Sequence, residues 1–204
     1  MNSQVTLVEP TALQQDHLLW YFTFDDVHNT TLSSPGDPLT SYVIESDRYA
    51  SRTKVSRATV GTDPVVVGII QRNSFFPDKV TLKTTNPRPI NEWLKSEPFS
   101  SYLPATMNSK DGRFIWRITA TEQLCMYELD NAIPIAIFTR SRTQAVDTIS
   151  PATLALRKGY EPLQDEAVVA MSILEHKRRI SEKSTAVLTA TAYSGQGYHV
   201  SSFI

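Results

Sequence analysis

Cysteine is nearly absent from this 204-residue chain, with Cys125 the only one. A disulfide framework within the chain is excluded, and so is a zinc site built on more than one thiolate. Glycine is scarce at seven residues. Loops that cradle phosphates need several glycines in one turn, and none of the seven forms a Walker or dinucleotide pattern. The pair in Gly195-Gln196-Gly197 sits in a polar stretch with no strand before it. Neither sign of charge dominates: 20 Lys and Arg face 21 Asp and Glu, a net charge of −1. Such a chain projects no global field toward nucleic acid, so nucleic acid is not an expected partner and any anion site is a local patch. No apolar run approaches the ~20 residues of a membrane helix, so no transmembrane segment is expected. No basic stretch leads into an apolar one near Met1, and together with the lone cysteine this points to a cytoplasmic protein, with peripheral-membrane or nuclear residence as variants.

What is present is β-pattern. Leu19-Trp20-Tyr21-Phe22-Thr23-Phe24 is short and aromatic and is bounded by Asp25-Asp26, a strand signal. A polar loop follows, with Ser34-Pro35-Gly36-Asp37-Pro38 as its turn chemistry. Strands are then expected over Ser41–Glu45, Arg52–Thr59, Val65–Gln71, Lys79–Thr84, a short Ile90–Leu94, Arg113–Thr119, Gln123–Leu129, Ile133–Thr139 and Thr153–Lys158. Each is rich in β-branched or aromatic residues and is set off by Asp, Gly, Asn or Pro. Pro134 places its strand at an edge or bulge, because proline cannot donate to a ladder.

One segment differs. Asp165-Glu166 opens an apolar run, Ala167 to Leu174, that ends in Glu175-His176-Lys177-Arg178-Arg179-Ile180. Acidic residues first and basic residues last suit the helix dipole. The run is apolar on every side, which argues for burial all round, and its length exceeds an ordinary strand. At 1.5 Å per residue this helix is roughly 24 Å long, enough to thread a small barrel. The expected fold is therefore mainly β: an antiparallel barrel or closed sandwich of about 9–12 strands around a central hydrophobic C-terminal helix. Residues 1–17 read as an N-terminal arm, 18–180 as one domain and 181–204 as a flexible tail.

Asp111-Gly112 leading into Phe114-Ile115-Trp116-Arg117, the chain reversal around Leu124 and Ile135-Ala136, and the late apolar helix occur together. In this the chain resembles a fungal, basidiomycete-type family of uncharacterised single-domain proteins. That family is distantly similar to the tubby-like group, which includes LURP-one-related proteins and phospholipid scramblases. The resemblance covers about Leu18 to Ile180. It implies a closed antiparallel barrel wrapped around Asp165–Ile180, and it implies no activity. The tubby-like relatives imply phosphoinositide binding through basic residues on the barrel exterior, without a residue-by-residue correspondence. The chain lacks the cysteine-rich and proline-rich flanks of scramblases, which departs from that function.

Among candidate sites, the basic cluster Arg48, Arg52, Lys54 and Arg57 stands first. Together with Lys177, Arg178 and Arg179 it could hold an anionic headgroup through charge-assisted hydrogen bonds. Its bland alternative is a solvated strand face and a helix end that favours cations. Asp25, Asp26 and His28 lie close together, but nothing supplies a second set at ligand spacing, and no metal is expected. Glu175 and His176 point about 100° apart on a helix and do not share a substrate. Histidines at 17, 28, 176 and 199 form no nucleophile–base pair with Cys125, which reads as a buried small hydrophobe. No catalytic residue and no cofactor is expected. Trp116 alternates with Phe114 and Ile118 as core, and Trp93 is the tryptophan expected to be exposed.

A helix filling the interior leaves little room for a ligand, which favours a role on the outer surface. The leading expectation is a non-catalytic module that recognises anionic phospholipid through its basic exterior. A protein–protein adaptor or homo-oligomer, using the Pro134 edge strand or the 181–204 tail, is the alternative. An enzyme of unrecognised type is the third.

Overall fold

The computed structural model describes residues 16–83, 85–97, 103–143 and 149–194, the last seven of these as backbone only. Six strands follow one another as an antiparallel meander: β1 (His17–Phe22), β2 (Thr30–Ser34), β3 (Asp37–Ser46), β4 (Arg52–Thr59), β5 (Val65–Gln71) and β6 (Lys79–Leu82). A two-residue β7 (Arg88–Pro89) leads through a short helix, Ile90–Trp93, into β8 (Leu94–Ser96). Then come β9 (Ala105–Ser109), β10 (Gly112–Ile118), β11 (Leu124–Glu128) and β12 (Ala136–Thr139). After a small β13–β14 ribbon (Arg142–Thr143 with Ile149–Ser150), β15 (Thr153–Arg157) inserts between β12 and β1. The result is one 13-stranded sheet in the order β7-β6-β5-β4-β3-β2-β1-β15-β12-β11-β10-β9-β8.

The long helix, Gln164–Ser194, carries the core. Every residue from Ala167 to Glu175 is buried, so the sheet covers that stretch on all its faces, as an all-round apolar helix requires. Trp20, Trp93 and Trp116 surround it and are fully buried. Trp20 meets Tyr42 edge-on at 6.0 Å, and Phe22 meets Phe138 at 5.5 Å. Gly68 on β5 shows how close the fit is: a Cβ there would lie 2.4 Å from a methyl of Val169. A bulge sits beside it, where Val55 pairs with Gly68 and Ser56 with Val66, leaving Val67 extra. The helix is clamped by buried carboxylates at both ends of its apolar stretch. Asp165 accepts from Tyr42 (2.6 Å) and from Arg57 (3.1 Å to each oxygen), and it pairs with Lys83 (3.1 Å). Glu175 is held by Arg140 (2.6 Å) and Arg179 (2.7 Å).

Several expectations are corrected. The sheet is not a closed barrel or sandwich, because its two edges, β7 and β8, do not pair. The edges are two and three residues long, Pro89 has no N–H to donate, and the chain between them turns into a helix instead of extending. Ile90–Leu94 is mostly that helix, and Trp93 is buried, not exposed. Strand β12 lies inside the sheet between β11 and β15, and Pro134 precedes it in the turn, so the adaptor reading loses its edge strand. The long helix runs on past Ile180 to Ser194, through residues expected to be tail. Residues 1–15 of the expected arm lie outside those described. Cys125 is buried with Leu19, Ile137 and Ala155 in a second small cluster, and burial pushes its thiol up to about 12.

The contact between Gly68 and Val169 is testable. Gly68→Ala is expected to destabilise the protein by about 1–3 kcal/mol through overpacking. Adding Val169→Ala should recover part of that loss, because the removed methyls make room for the new one. Urea unfolding of the two single variants and the pair measures the coupling; a Gly68→Ala variant as stable as wild type would mean that the helix does not press on β5.

Candidate functional site

The meander brings three connections to one end of the sheet: Thr23–Asn29 between β1 and β2, Asp47–Ser51 between β3 and β4, and Arg72–Asp78 between β5 and β6. They are tied to one another. Asn29 Oδ1 accepts from the Ser46 amide (3.1 Å), Ser46 Oγ lies 2.7 Å from Thr53 Oγ1, and Arg72 Nη1 donates to Thr53 Oγ1 (2.7 Å) and the Ala50 carbonyl (2.8 Å). The long helix leaves the sheet at this same end. Arg179 donates to the Asp25 carboxylate and carbonyl, and His176 Nδ1 lies 2.9 Å from His28 Nε2.

Each of these connections carries large apolar side chains in water. Phe24 is 65% exposed, Tyr49 82%, Phe75 95% and Phe76 74%. Aromatic rings held at the tips of three linked loops are costly to leave wet, and grouped exposed apolar surface marks an interaction face.

The seven basic residues singled out from the sequence separate into three groups. Arg48 and Arg52 are exposed at the β3–β4 turn, among the aromatic tips. Lys54 follows on the outer face of β4, paired with Glu45 at 2.8 Å. Arg57 stands at the far end of β4, roughly 17 Å along the strand from Arg52, and is committed to Asp165. On the helix, Lys177 is half-buried at the loop end beside His176. Arg178 is buried and donates to Glu182 (2.9 Å) and the Glu122 carbonyl (2.8 Å), while Arg179 is taken up by Glu175 and Asp25. The loop end therefore presents Arg48, Arg52 and Lys177, with exposed Lys183 nearly two turns beyond. Arg57, Arg178 and Arg179 serve inside the fold.

The histidine pair sits between these cations. The His28 and His176 rings meet edge-on at 4.7 Å, and His28 Nδ1 lies 3.3 Å from Ser46 Oγ. Burial, then the positive charge of Arg72, His28, Lys177 and Lys183, brings His176 down to about 4. Burial and Arg72 lower His28 as well, against the pull of Asp26. Both rings are neutral at pH 7. Burial pushes the Asp25 carboxyl up, but hydrogen bonds from Ser141 and Arg179 outweigh it and hold the group below its ordinary value. Among the described residues no cluster of His, Cys, Asp and Glu could hold a metal ion. Glu175 and His176 face different partners, Arg140 with Arg179 and His28 respectively, and form no acid–base pair.

A second feature lies at the opposite end, where the sheet fails to close. A cavity of about 540 Å³ opens there between Leu82 of β6 and Asn108–Ser109 of β9, reaching the first turn of the long helix. Arg88, Lys110 and Glu166 line it. The central interior is filled, as expected of a helix-threaded fold, but the seam leaves room that a closed ladder would not.

Sequence reasoning missed Arg72, the aromatic tips and the seam. Phe75-Phe76 was readable, since two aromatics between Ser74 and Pro77 have no strand to belong to. The His28–His176 contact joins residues 148 apart and left no local signal.

The chain belongs to DUF6593, a family of unknown function whose model matches residues 25–180. No curated protein and no solved structure matches the chain.

The neutral histidine pair has a consequence for stability. In the unfolded chain each imidazole titrates near 6.5, whereas in the fold His176 stays neutral to about 4. As pH falls the unfolded state takes up protons first, so stability is lost from about 6.5 downward and the loss is complete below about 4. The midpoint of thermal unfolding is expected to fall between pH 7 and pH 5, where Asp25 and Glu182, both held low, do not yet titrate. His176→Asn should flatten that fall. A wild-type midpoint that does not move across this window would contradict the assignment.

Proposed function

We propose that this member of DUF6593 is a non-catalytic module that docks on membrane surfaces rich in anionic lipid, through the end where the three loops meet. The observation that carries the reading is the grouping of Phe24, Tyr49, Phe75 and Phe76, all exposed, with Arg48, Arg52, Lys177 and Lys183 at that one end. Tyr49 suits the level of the lipid headgroups, with its apolar body inward and its hydroxyl wet, and the phenylalanine rings gain by burial at the acyl boundary. Basic side chains near an anionic surface contribute about 1 kcal/mol each, screened by salt. Neither term alone holds a protein of this size on a bilayer; two together do, by the same logic that requires two signals for lipid anchors.

The adjoining sequence and the family resemblance support the same reading. The helix leaves from this end, and from Ser184 to Ile204 the chain carries no Asp, Glu, Lys or Arg, so no acidic or basic side chain there resists an apolar phase. Among the described residues no helix is long and apolar enough to cross a membrane, and docking does not need one. The resemblance to tubby-like proteins within a basidiomycete-type family also favours an anionic headgroup as ligand. The contact residues differ from those first singled out: Arg48 and Arg52 remain, Lys177 joins them from the helix, and Arg57, Arg178 and Arg179 act in folding. A cytoplasmic leaflet, where anionic lipid is concentrated, is the matching surface.

Flotation with vesicles of phosphatidylcholine alone, and of phosphatidylcholine with phosphatidylserine, tests this at two salt concentrations. Binding is expected to the anionic vesicles and to weaken with salt. Removing both Arg48 and Arg52 as Gln should weaken it by roughly 30-fold, from about 1 kcal/mol per charge. Phe75→Ser with Phe76→Ser should abolish it without loss of fold. Equal binding to neutral and anionic vesicles, or none to either, would refute the proposal, as would recovery of a protein partner at this face with lipid ignored.

A further inference from the structure

The seam cavity holds two charges that the fold leaves unmatched. Glu166, in the first turn of the long helix, accepts from Ser109 Oγ at 3.1 Å through one oxygen, while the other is buried with no protein partner. Arg88, on the edge strand β7, has its Nε buried with no partner, and its guanidinium carbon stands 6.0 Å from the Trp93 ring. Neither residue forms an ion pair with another described residue, and they do not reach each other although both line the cavity. The contrast with the next residue is sharp, since Asp165 is met by Tyr42, Arg57 and Lys83 together. One carboxylate of the helix start is thus used up by the fold, while its neighbour, which lines the cavity, keeps one oxygen without a partner.

A buried acceptor of negative charge and a buried donor of positive charge, held apart on the walls of one cavity, are complementary to a ligand with the opposite two poles. A purely anionic ligand would satisfy Arg88 and be repelled by Glu166, and a purely cationic one the reverse. The volume, about 540 Å³, lies in the range of small-molecule sites. The apolar wall of Val67 and Leu82 and the polar groups of Thr85 and Asn108 leave room for a short side chain. The cavity lining as a whole carries Lys83, Arg88 and Lys110 against Asp165 and Glu166, an excess of one positive charge.

We propose that the seam cavity binds a free amino acid as its zwitterion, the ammonium on Glu166 and the carboxylate on Arg88, with an acidic side chain preferred because of the positive rim. The site is remote from the loop end and independent of the membrane reading.

Isothermal titration of the full chain with L-glutamate, N-acetyl-L-glutamate, glutarate and L-lysine tests it. L-Glutamate is expected to bind, N-acetylglutamate and glutarate about 10-fold or more weakly, since each lacks the ammonium that a charged hydrogen bond rewards. L-Lysine should bind more weakly than L-glutamate because of the rim charge. Glu166→Gln should erase the difference between L-glutamate and its acetylated form, and Arg88→Gln should remove binding of both, with circular dichroism confirming the fold of each variant. If either variant fails to fold, the wild-type comparison still decides. Equal affinity for the free and acetylated forms overturns the proposal, and so does failure of L-glutamate to bind below about 10 mM, a threshold weaker than ~3 kcal/mol of binding free energy.

Discussion

A helix that is apolar on every face cannot meet water along any side, and this constraint governs the molecule. From Ala167 to Leu174 no residue of the long helix reaches solvent. The chain must supply a covering in all directions, and a single sheet of 13 strands does so by curling around it. The length of the plug is set by charge. Asp165 and Glu175 are buried ten positions apart, about 15 Å along the axis. Each is matched by cations delivered from elsewhere in the fold, because an unpaired buried carboxylate costs several kcal/mol. Arg57 comes from β4 and Arg140 from just beyond β12. The two pairs fix how deep the helix sits and which strands face it, so they act as depth stops at either end of an otherwise featureless apolar cylinder. Their net worth against an apolar replacement is small, but loss of one partner is not.

Both ends of the sheet inherit their character from this arrangement. Where the helix departs, its first exposed turns bring Lys177 and Lys183 beside the loops of the meander, and the histidine pair stitches the helix to the β1–β2 connection. Where the helix begins, the sheet runs out of strand. The edges β7 and β8 are too short to template another chain, Pro89 removes a donor, and the Ile90–Trp93 helix fills the gap between them with the fully buried Trp93. Short edges protect against aggregation, and the same shortness leaves the seam open beside Glu166 and Arg88. The cavity is thus a product of how the fold manages its edges.

The sequence disclosed this to different depths. Arg52–Thr59 and Val65–Gln71 have the limits read from their β-branched pattern, and the long helix was visible because eight residues between acidic and basic ends are apolar but for Ser172, which admits little else. Thr30–Ser34 escaped notice since Thr and Ser stand where apolar residues would be looked for, although Thr30, Leu32 and Ser34 are buried in alternation. Ile90, Trp93 and Leu94 have the i, i+3, i+4 spacing of a helix face, and that short signal was readable but was outweighed by the surrounding strands. Trp93 is flanked by Asn91, Glu92 and Lys95; its burial comes from the core cluster that it joins, most of which lies outside any window around it. Arg57 shares parity with the inward-facing Thr53 and Val55, so its separation from Arg52 and Lys54 was legible, but its partner Asp165 lies 108 positions away. Whether the ladder closes depends on pairing between β7 and β8, and nothing local encodes a pairing that does not form.

The electrostatics of the loop end follow from the same packing. Cations crowd the histidine pair because the helix, where it leaves the sheet, needs basic residues to match Glu175, Glu182 and Asp25. Burial, and then Arg72 and the nearby cations of the helix, keep His176 near 4 and His28 below its ordinary value. The positive charge available at this face near neutral pH is therefore carried by Arg48, Arg52, Lys177 and Lys183 and not by the histidines. An anion arriving at the face changes that balance. On the proposed reading its charge offsets part of the repulsion that, after burial, lowers both imidazoles, so their proton affinity rises as it binds, and by linkage its own affinity rises as protons become available.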